Sequence, residues 1–287
     1  MAGPDTDWDK WWPAPAKLNL FLHITGQRAD GYHLLQTAFQ FIDVCDELSF
    51  AQRDDHKITR SEGLAGLPED QDLVVKAALL LRAAAGVAHG VDIKVRKQIP
   101  AGGGLGGGSS DAATTLLVLN HLWRLGLSSA SLQSLGLQLG ADVPVFVGGR
   151  SAWAEGIGER LMPMDFPERY YVVLDPGCPV STREVFRDRQ LTRNSQPVTI
   201  PGFLSAGGGN DCEAVVRRSR PEVARALDWL SNFGEARLTG TGGCMFLACE
   251  SEHAAEEICT QVPDPWTAIT AQGLNRSPLA RLIGQPH

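Results

Sequence analysis

"AGGGLGGGSSDAA", residues 101–113, packs six glycines and two serines into one short stretch. The segments on either side each have their own periodicity. Upstream, "VDIKVRKQI" alternates Val91, Ile93 and Val95 against Asp92, Lys94 and Arg96, the pattern of a strand with one wet face. Downstream, "AATTLLVLNHLWRLG" reads as a helix ending at Gly126. Glycine lets backbone N–H groups turn inward and lets a bulky anion approach without meeting a Cβ. A helix start adds unpaired N–H donors and the positive end of the dipole. A glycine-rich loop that feeds a helix is therefore an anion cradle, and phosphate is its usual occupant. Ser109, Ser110 and Asp111 stand where an N-cap belongs. The plain alternative is a flexible surface loop capped by Ser or Asp.

Three familiar phosphate loops do not fit. A Walker A loop needs a Lys after its last glycine, and none follows here. Gly102, Gly104 and Gly107 can be read as G-x-G-x-x-G, but a Rossmann strand should be buried on both faces, whereas every second residue of "VDIKVRK" is charged. A protein-kinase loop would come with V-A-I-K and H-R-D motifs, which are absent from the sequence.

Working outward, "AKLNLFLHITG" alternates as a strand and "DGYHLLQTAFQFIDVCDELSF" continues as strand after a turn at Asp30-Gly31. "DLVVKAALLLRAAAG" carries helix signals at both ends, and "SSASLQSLGLQLG" predicts a shorter helix closed by Gly140. "DVPVFVGGRSAWAEGIGERL" reads as short strands and glycine turns. Beyond it come a strand "RYYVVLDPG", one long helix "EAVVRRSRPEVARALDWLSNF", a strand "RLTGTGGCMFLAC", a helix "SEHAAEEICTQV" and a strand "WTAITAQGL". This is an α+β pattern, with a boundary placed between residues 158 and 159.

The 287-residue chain suits one large domain or two ordinary ones. Its formal charge of −7 argues against a binder of bulk nucleic acid, yet leaves room for a small anionic substrate held by local groups. The six cysteines form no C-x-x-C pair and read as reduced thiols of a cytoplasmic protein. The first residues lack the basic start and apolar core of a signal peptide, and no apolar run is long enough to span a membrane.

Four motifs in order resemble one family. "IPAGGGLGGGSSDAA" is similar to the P-x-x-x-G-L-G-[GS]-S-S-[AD]-A signature of the GHMP kinase superfamily. "PAKLNLFLHITGQRADGYHLLQT", "LGADVPVFVGGRSAWAEGIGE" and "RLTGTGGCMF" resemble further motifs of the branch that acts on a CDP-linked methylerythritol. The resemblance covers residues from about Pro15 to Leu279. It implies a two-domain fold, with a ribosomal-protein-S5-like N-terminal domain (1–158), a ferredoxin-like α/β sandwich (159–287) and the active site between them. It implies ATP-dependent phosphorylation of the 2-hydroxyl of 4-diphosphocytidyl-2-C-methyl-D-erythritol, a step toward isoprenoid precursors, by a monomer or weak homodimer.

The same resemblance assigns roles to particular positions. Asp142, which alone reads as a turn or N-cap residue, becomes the general base. Lys17, which alone reads as a surface lysine, becomes its partner and the stabiliser of the forming alkoxide. Pro100, Gly102, Gly103, Gly104, Leu105, Gly106, Gly107, Gly108, Ser109 and Ser110 would hold the triphosphate, so that Gly106→Val should weaken ATP binding and leave the fold intact. Mg²⁺ should bridge the phosphates, although no carboxylate is marked by sequence as its ligand. Lys97 lies either near the nucleotide base or on a solvent-facing strand. Asp72 stands where relatives commonly carry Asn, which puts an adenine contact there in doubt. Tyr32, His33 and Phe186 would enclose the cytosine, with Asn19, Thr182, Gly240, Thr241 and Gly242 also toward the substrate. Two other readings stay open: a homoserine- or mevalonate-type kinase of the same superfamily, and a non-enzymatic RNA-binding protein.

Overall fold

The structure is a computed structural model and describes residues 7–63 and 67–284. Its frame is an antiparallel hairpin of two long strands, β1 (Trp11–Gln27) and β2 (His33–Arg53). The turn between them uses Gly31 at φ 91°, a conformation that glycine adopts without a Cβ penalty. The register of β1 slips between Pro15 and Lys17 and again between Asn19 and Leu22. Lys17 and Asn19 thus sit between two bulges, irregularities that re-aim side chains locally.

On one side, β2 pairs with β4 (Gly90–Arg96), and β4 pairs in parallel with β3 (Ile58–Glu62). Near its start β2 also pairs with β5 (Ala152–Glu155), which turns back as β6 (Arg160–Pro163). The second half forms its own antiparallel sheet: β10 (Thr267–Leu274), β7 (Tyr170–Asp175), β9 (Met245–Cys249) and β8 (Ala236–Leu238). Two register pairs, Gly273 with Ile42 and Leu274 with Phe41, join β10 to β2 and fuse both sheets into one path.

Each half buries its own apolar face. The first core sets Phe39, Phe41, Leu48 and Phe50 of β2 against α1 (Leu73–Ala85), α2 (Gly107–Leu122), α3 (Ser129–Leu139) and α4 (Val143–Gly148). The second sets Val172, Leu174, Met245 and Leu247 against α5 (Thr182–Arg187), α7 (Glu213–Ser219), α8 (Pro221–Leu230) and α9 (Glu252–Cys259). The short α6 (Ile200–Ala206) covers Phe21 and Trp153 with Phe203. Leu22 and Ile24 of β1 belong to the second core, while Leu279 of α10 (Pro278–Leu282) belongs to the first. A third cluster, with Leu18, Ile42, Leu105, Val173 and Phe246, lies where the halves meet. All six cysteines are free.

Four local expectations differ from the structure. "DVPVFVGG" opens with helix α4, because Pro144 pre-sets helical φ in its first turn and Val143 and Val147 are fully buried, so packing overrides their β preference. "EAVVRRSRPEVARALDWLSNF" is two helices, since Pro221 forces Arg220 out of helical geometry, to φ −135° and ψ 84°. "RLTGTGGCMFLAC" is the hairpin β8–β9. Finally, α2 starts at Gly107 with Gly106 (φ 77°) as its N-cap, so Ser109, Ser110 and Asp111 lie inside the helix and cap nothing.

Two glycine loops form the seam between the halves. Gly243 and Cys244 donate their N–H groups to the carbonyls of Gly102 (3.1 Å) and Gly103 (3.0 Å), and Val180 also donates to Gly102 (3.3 Å). The backbones touch. A Cβ on Gly242 would lie 2.0 Å from the carbonyl carbon of Gly103, and one on Gly104 would lie 2.0 Å from the carbonyl oxygen of Thr239. Much of the glycine in "AGGG" therefore serves close packing between the halves. Gly242→Ala is expected to lower unfolding stability by about 1–3 kcal/mol or more, as overpacking does. Gly209→Ala, where a Cβ meets nothing within 4 Å, should stay within about 0.5 kcal/mol. Urea denaturation of both variants checks this, and equal stabilities would contradict the packed seam.

Candidate active site

The seam walls one side of a cavity of about 1090 Å³ between the halves. Lys17 stands at its centre, almost fully buried. A buried ammonium needs acceptors for its three protons. Lys17 Nζ donates to Asn19 Oδ1 in a short hydrogen bond, donates to the Gly104 carbonyl at 2.8 Å, and lies 3.4 Å from Asp142 Oδ2. Burial pulls the Lys17 pKa down, and the Asp142 carboxylate partly opposes that fall. Asp142 occupies the N-cap position of α4, yet its side chain accepts no capping bond. Its carboxylate is free to face Lys17 and remains partly exposed.

A second layer fixes Asn19. Its Nδ2 donates to Thr37 Oγ1 at 2.9 Å, and that hydroxyl donates to the Phe21 carbonyl in a short bond. The backbone N–H of Asn19 donates to Thr239 Oγ1 at 3.0 Å, tying the site to the second half of the chain. Since the amide oxygen of Asn19 faces Lys17 and its nitrogen faces Thr37, the residue acts as a positioner of the lysine.

The helix start lies on the wall. The N–H groups of Gly107, Gly108 and Ser109 belong to the first turn of α2 and have no partner within the helix. Gly102, Gly104 and Gly106 all have positive φ, the left-handed backbone that alternates with right-handed residues in anion-binding loops. Gly106 has a further constraint: a Cβ there would lie 2.8 Å from the Phe146 ring and 3.1 Å from Lys17 Cε. Gly106→Val would therefore displace the lysine and disturb the core, so the expectation that it leaves the fold intact fails.

Lys97 joins a buried acidic pair. Its Nζ donates to Asp111 Oδ2 at 2.6 Å and to Asp46 Oδ2 in a short contact. Asp46 Oδ1 accepts from the N–H groups of Gln98 (2.6 Å) and Ile99 (2.8 Å), which anchors the chain just before the loop. Burial raises the Asp111 pKa to about 7 against the opposing pull of Lys97, while the two carboxylates outweigh burial at Lys97 and raise it. Asp111 Oδ1 is buried without a hydrogen-bond partner. Asp72 lines the cavity but is committed elsewhere: Oδ1 caps α1 through Val74 N–H, and Oδ2 pairs with Arg60.

The far end of the cavity is aromatic. His33 stacks on Phe186, with ring centroids 4.9 Å apart and planes at 21°. Arg193 Nε donates to His33 Nε2 at 3.0 Å. Tyr32, 60% exposed, stands at the mouth. Thr182 and Thr241 share a hydrogen bond of 2.7 Å, and Gly240 abuts Gly104 and Asn19. Arg183 and Arg187 of α5 line the same end, with no protein partner among the described residues.

The structure thus gathers Lys17, Asn19, Asp142, Lys97, residues 100–109, Tyr32, His33, Thr182, Phe186, Gly240 and Thr241 around one cavity. Ser110 and Gly242 lie off its wall, the first buried in α2 and the second pressed against the glycine loop. Asp46, Thr239, Arg183, Arg187 and Arg193 carry no role in the sequence reading, and Asp111 figures there only as a helix cap. Asp46 sits in "VCDEL", which looks like an ordinary strand edge. The arginines carry no signal until their lack of acidic partners, or their carbonyl partners, can be seen.

Two family models match the chain: the GHMP kinases N terminal domain over residues 72–150 and the GHMP kinases C terminal over residues 198–268. The fold is that of a GHMP kinase. A 4-diphosphocytidyl-2-C-methyl-D-erythritol kinase of Nitrosococcus oceani is 56% identical over 93% of this chain and 95% of its own, and one of Halorhodospira halophila is 52% identical over 96% of each. A crystal structure of 4-(cytidine 5'-diphospho)-2C-methyl-D-erythritol kinase superposes with a TM-score of 0.82 at 32% identity, covering 92% of this chain and 99% of that one. The chain belongs to the 4-diphosphocytidyl-2-C-methyl-D-erythritol kinase family. A mevalonate kinase structure at 15% identity and a TM-score of 0.63 shares the fold alone. No helix among the described residues is long and apolar enough to cross a membrane.

The acidic pair gives a pH signature. With its folded pKa raised above the ordinary carboxylate value, Asp111 holds a proton in the folded chain between about pH 4 and 7 that the unfolded chain releases. Its contribution to stability is complete at low pH and is lost as pH rises toward 7. Asp111→Asn should therefore shrink the drop in unfolding free energy between pH 5 and 7 by roughly 1–2.5 kcal/mol. Urea titrations at both pH values check this, and an unchanged drop would contradict the raised pKa of Asp111.

Proposed function

We propose that the chain transfers the γ-phosphoryl group of ATP to the 2-hydroxyl of 4-diphosphocytidyl-2-C-methyl-D-erythritol, in the cytoplasm, on the non-mevalonate route to isoprenoid precursors. One observation carries this reading: the Lys17–Asp142 pair stands in a single cavity between a glycine-capped helix start and the aromatic end around His33 and Phe186. Phosphoryl transfer needs placement, charge neutralisation and an acceptor for the nucleophile's proton, and the cavity offers a group for each.

The unpaired N–H groups at the start of α2 would bind the triphosphate. Asp111 Oδ1, buried and unpartnered, would accept an N–H of the nucleotide. The exposed Arg183 and Arg187 would face the diphosphate of the acceptor substrate. Asp142 would take the proton of the attacking hydroxyl as its oxygen bonds to the γ-phosphorus and the bond to the leaving ADP breaks. Lys17, held by Asn19 and Gly104, would stabilise the charge on that oxygen.

No group of three His, Cys, Asp or Glu among the described residues is arranged to hold a metal ion. Mg²⁺ would be carried chiefly by the ATP phosphates, with the Ser109 hydroxyl on the cavity wall as a protein ligand. Bound there, the ion would neutralise phosphate charge.

A coupled ADP-release assay with the CDP-methylerythritol substrate, set against CDP, homoserine and mevalonate, tests the assignment. Turnover of homoserine or mevalonate in preference would replace it. Asp142→Asn is expected to lose about 10²–10⁴ in kcat with ATP affinity near wild type, the usual worth of a positioned base. Retention of most of kcat would remove Asp142 from the chemistry. Tyr32→Ala should raise KM for the CDP substrate more than it changes kcat, since stacking contributes about 1–3 kcal/mol per base. An unchanged KM would place Tyr32 outside the substrate site.

A further inference from the structure

We infer that Arg193 is a positioning residue that fixes the tautomer of His33, and that this tautomer decides whether the cavity accepts cytosine or uracil. The inference rests on reading the cavity as a cytidine site.

A guanidinium has only N–H donors and keeps its charge in proteins. Arg193 Nε points at His33 Nε2 across 3.0 Å, so that ring nitrogen must offer a lone pair. In a neutral imidazole the proton then resides on Nδ1. Arg193 has little freedom to release the ring. Its Nη1 donates to the Leu191 carbonyl at 3.0 Å, and its Nη2 donates to the carbonyls of Phe186 (3.0 Å) and Asp188 (2.7 Å). One guanidinium thus holds the backbone of Phe186 and also the imidazole stacked on the Phe186 ring. Partial burial, with the Arg193 charge beside it, depresses the His33 pKa and favours the neutral ring this arrangement requires. Nδ1–H has no protein partner among the described residues, and His33 lines the cavity.

The two pyrimidines differ in what their Watson–Crick edges offer. Cytosine presents a bare N3 acceptor beside an amino donor, whereas uracil presents an N3–H donor beside a carbonyl acceptor. An imidazole N–H donor pairs with the first and opposes the second. The opposite tautomer would present a lone pair there and reverse the preference. Stacking on Phe186 or Tyr32 cannot make this distinction, because both bases have the same kind of π face. A mismatched polar pair in a desolvated site is heavily disfavoured.

Two readouts test the inference. The first is the nitrogen-15 NMR signature of the His33 ring in the wild-type protein at neutral pH, which needs no substrate. Protonated Nδ1 with bare Nε2 is expected; the reverse tautomer or an imidazolium would overturn the proposal even if no variant folds. The second is kcat/KM for the cytidine substrate and its uridine analogue in wild type, Arg193→Met and Arg193→Lys. The Met variant should mix the tautomers and narrow the cytidine-to-uridine ratio on the order of tenfold or more. The Lys variant, which keeps a cationic donor, should recover part of both. An Arg193→Met protein with native tautomer and native ratio would overturn the proposal. If the wild type favours neither pyrimidine substrate, the cytidine reading fails, and with it the specificity role; the ring signature would still report whether Arg193 sets the tautomer.

Discussion

A lysine ammonium with almost no exposure to water must be met by acceptors from the protein, and much of this architecture follows from meeting Lys17. One acceptor comes from its own strand, one from the glycine loop and one from the turn into α4. Each is brought there by a different structural device. The bulges of β1 aim Lys17 and Asn19, the positive φ of Gly104 and Gly106 lets the loop pass close to the ammonium, and the missing cap bond leaves the Asp142 carboxylate free. Desolvating the charge is costly, and its partners compensate only while all three segments hold their places. The same arrangement removes water from around Lys17, and charges interact more strongly where the dielectric is low.

Glycine has two separate jobs in this chain, and the site lies between them. Gly102–Gly104 and Gly242–Gly243 permit two backbones to meet without side chains, while Gly106–Gly108 opens the start of α2. The first set closes the seam between the halves, and the second leaves donors uncovered beside it. A loop rich in one residue type thus divides into a packed portion and an open portion within a few positions.

The alternating strands and the Ala/Leu-rich helix α1 were legible because period and caps agree: Asp72 and Gly86 stand at its two ends, as the sequence signals require. The glycine loop running straight into a helix at 101–113 was legible for the same kind of reason, from the change of period on its two sides. What was hidden is tertiary. Val-rich α4 reads as strand until its burial against α2 and α3 is known. Asp46 looks like any strand carboxylate, although it is fully buried under Lys97 and anchors the entry to the loop. Arg193 lies in the Pro-rich link between β7 and α7, and nothing local reveals that four of its five N–H donors are directed at one imidazole and three carbonyls. Lys17 and Asp142 are separated by most of the first half of the chain; their pairing could be inferred by resemblance but not read from spacing.

Strand β1 leaves the first core at about Leu18 and contributes Leu22 and Ile24 to the second, while Leu279 travels the other way. The halves are interleaved, and no single peptide bond separates them cleanly. A fragment ending after β6 would carry two apolar side chains with no core to enter and would lack the residue that closes its own. Neither half is a portable module. Insertion, duplication or exchange of a half would have to carry a strand segment or a terminal helix with it, so sequence change in one half is constrained by the packing of the other.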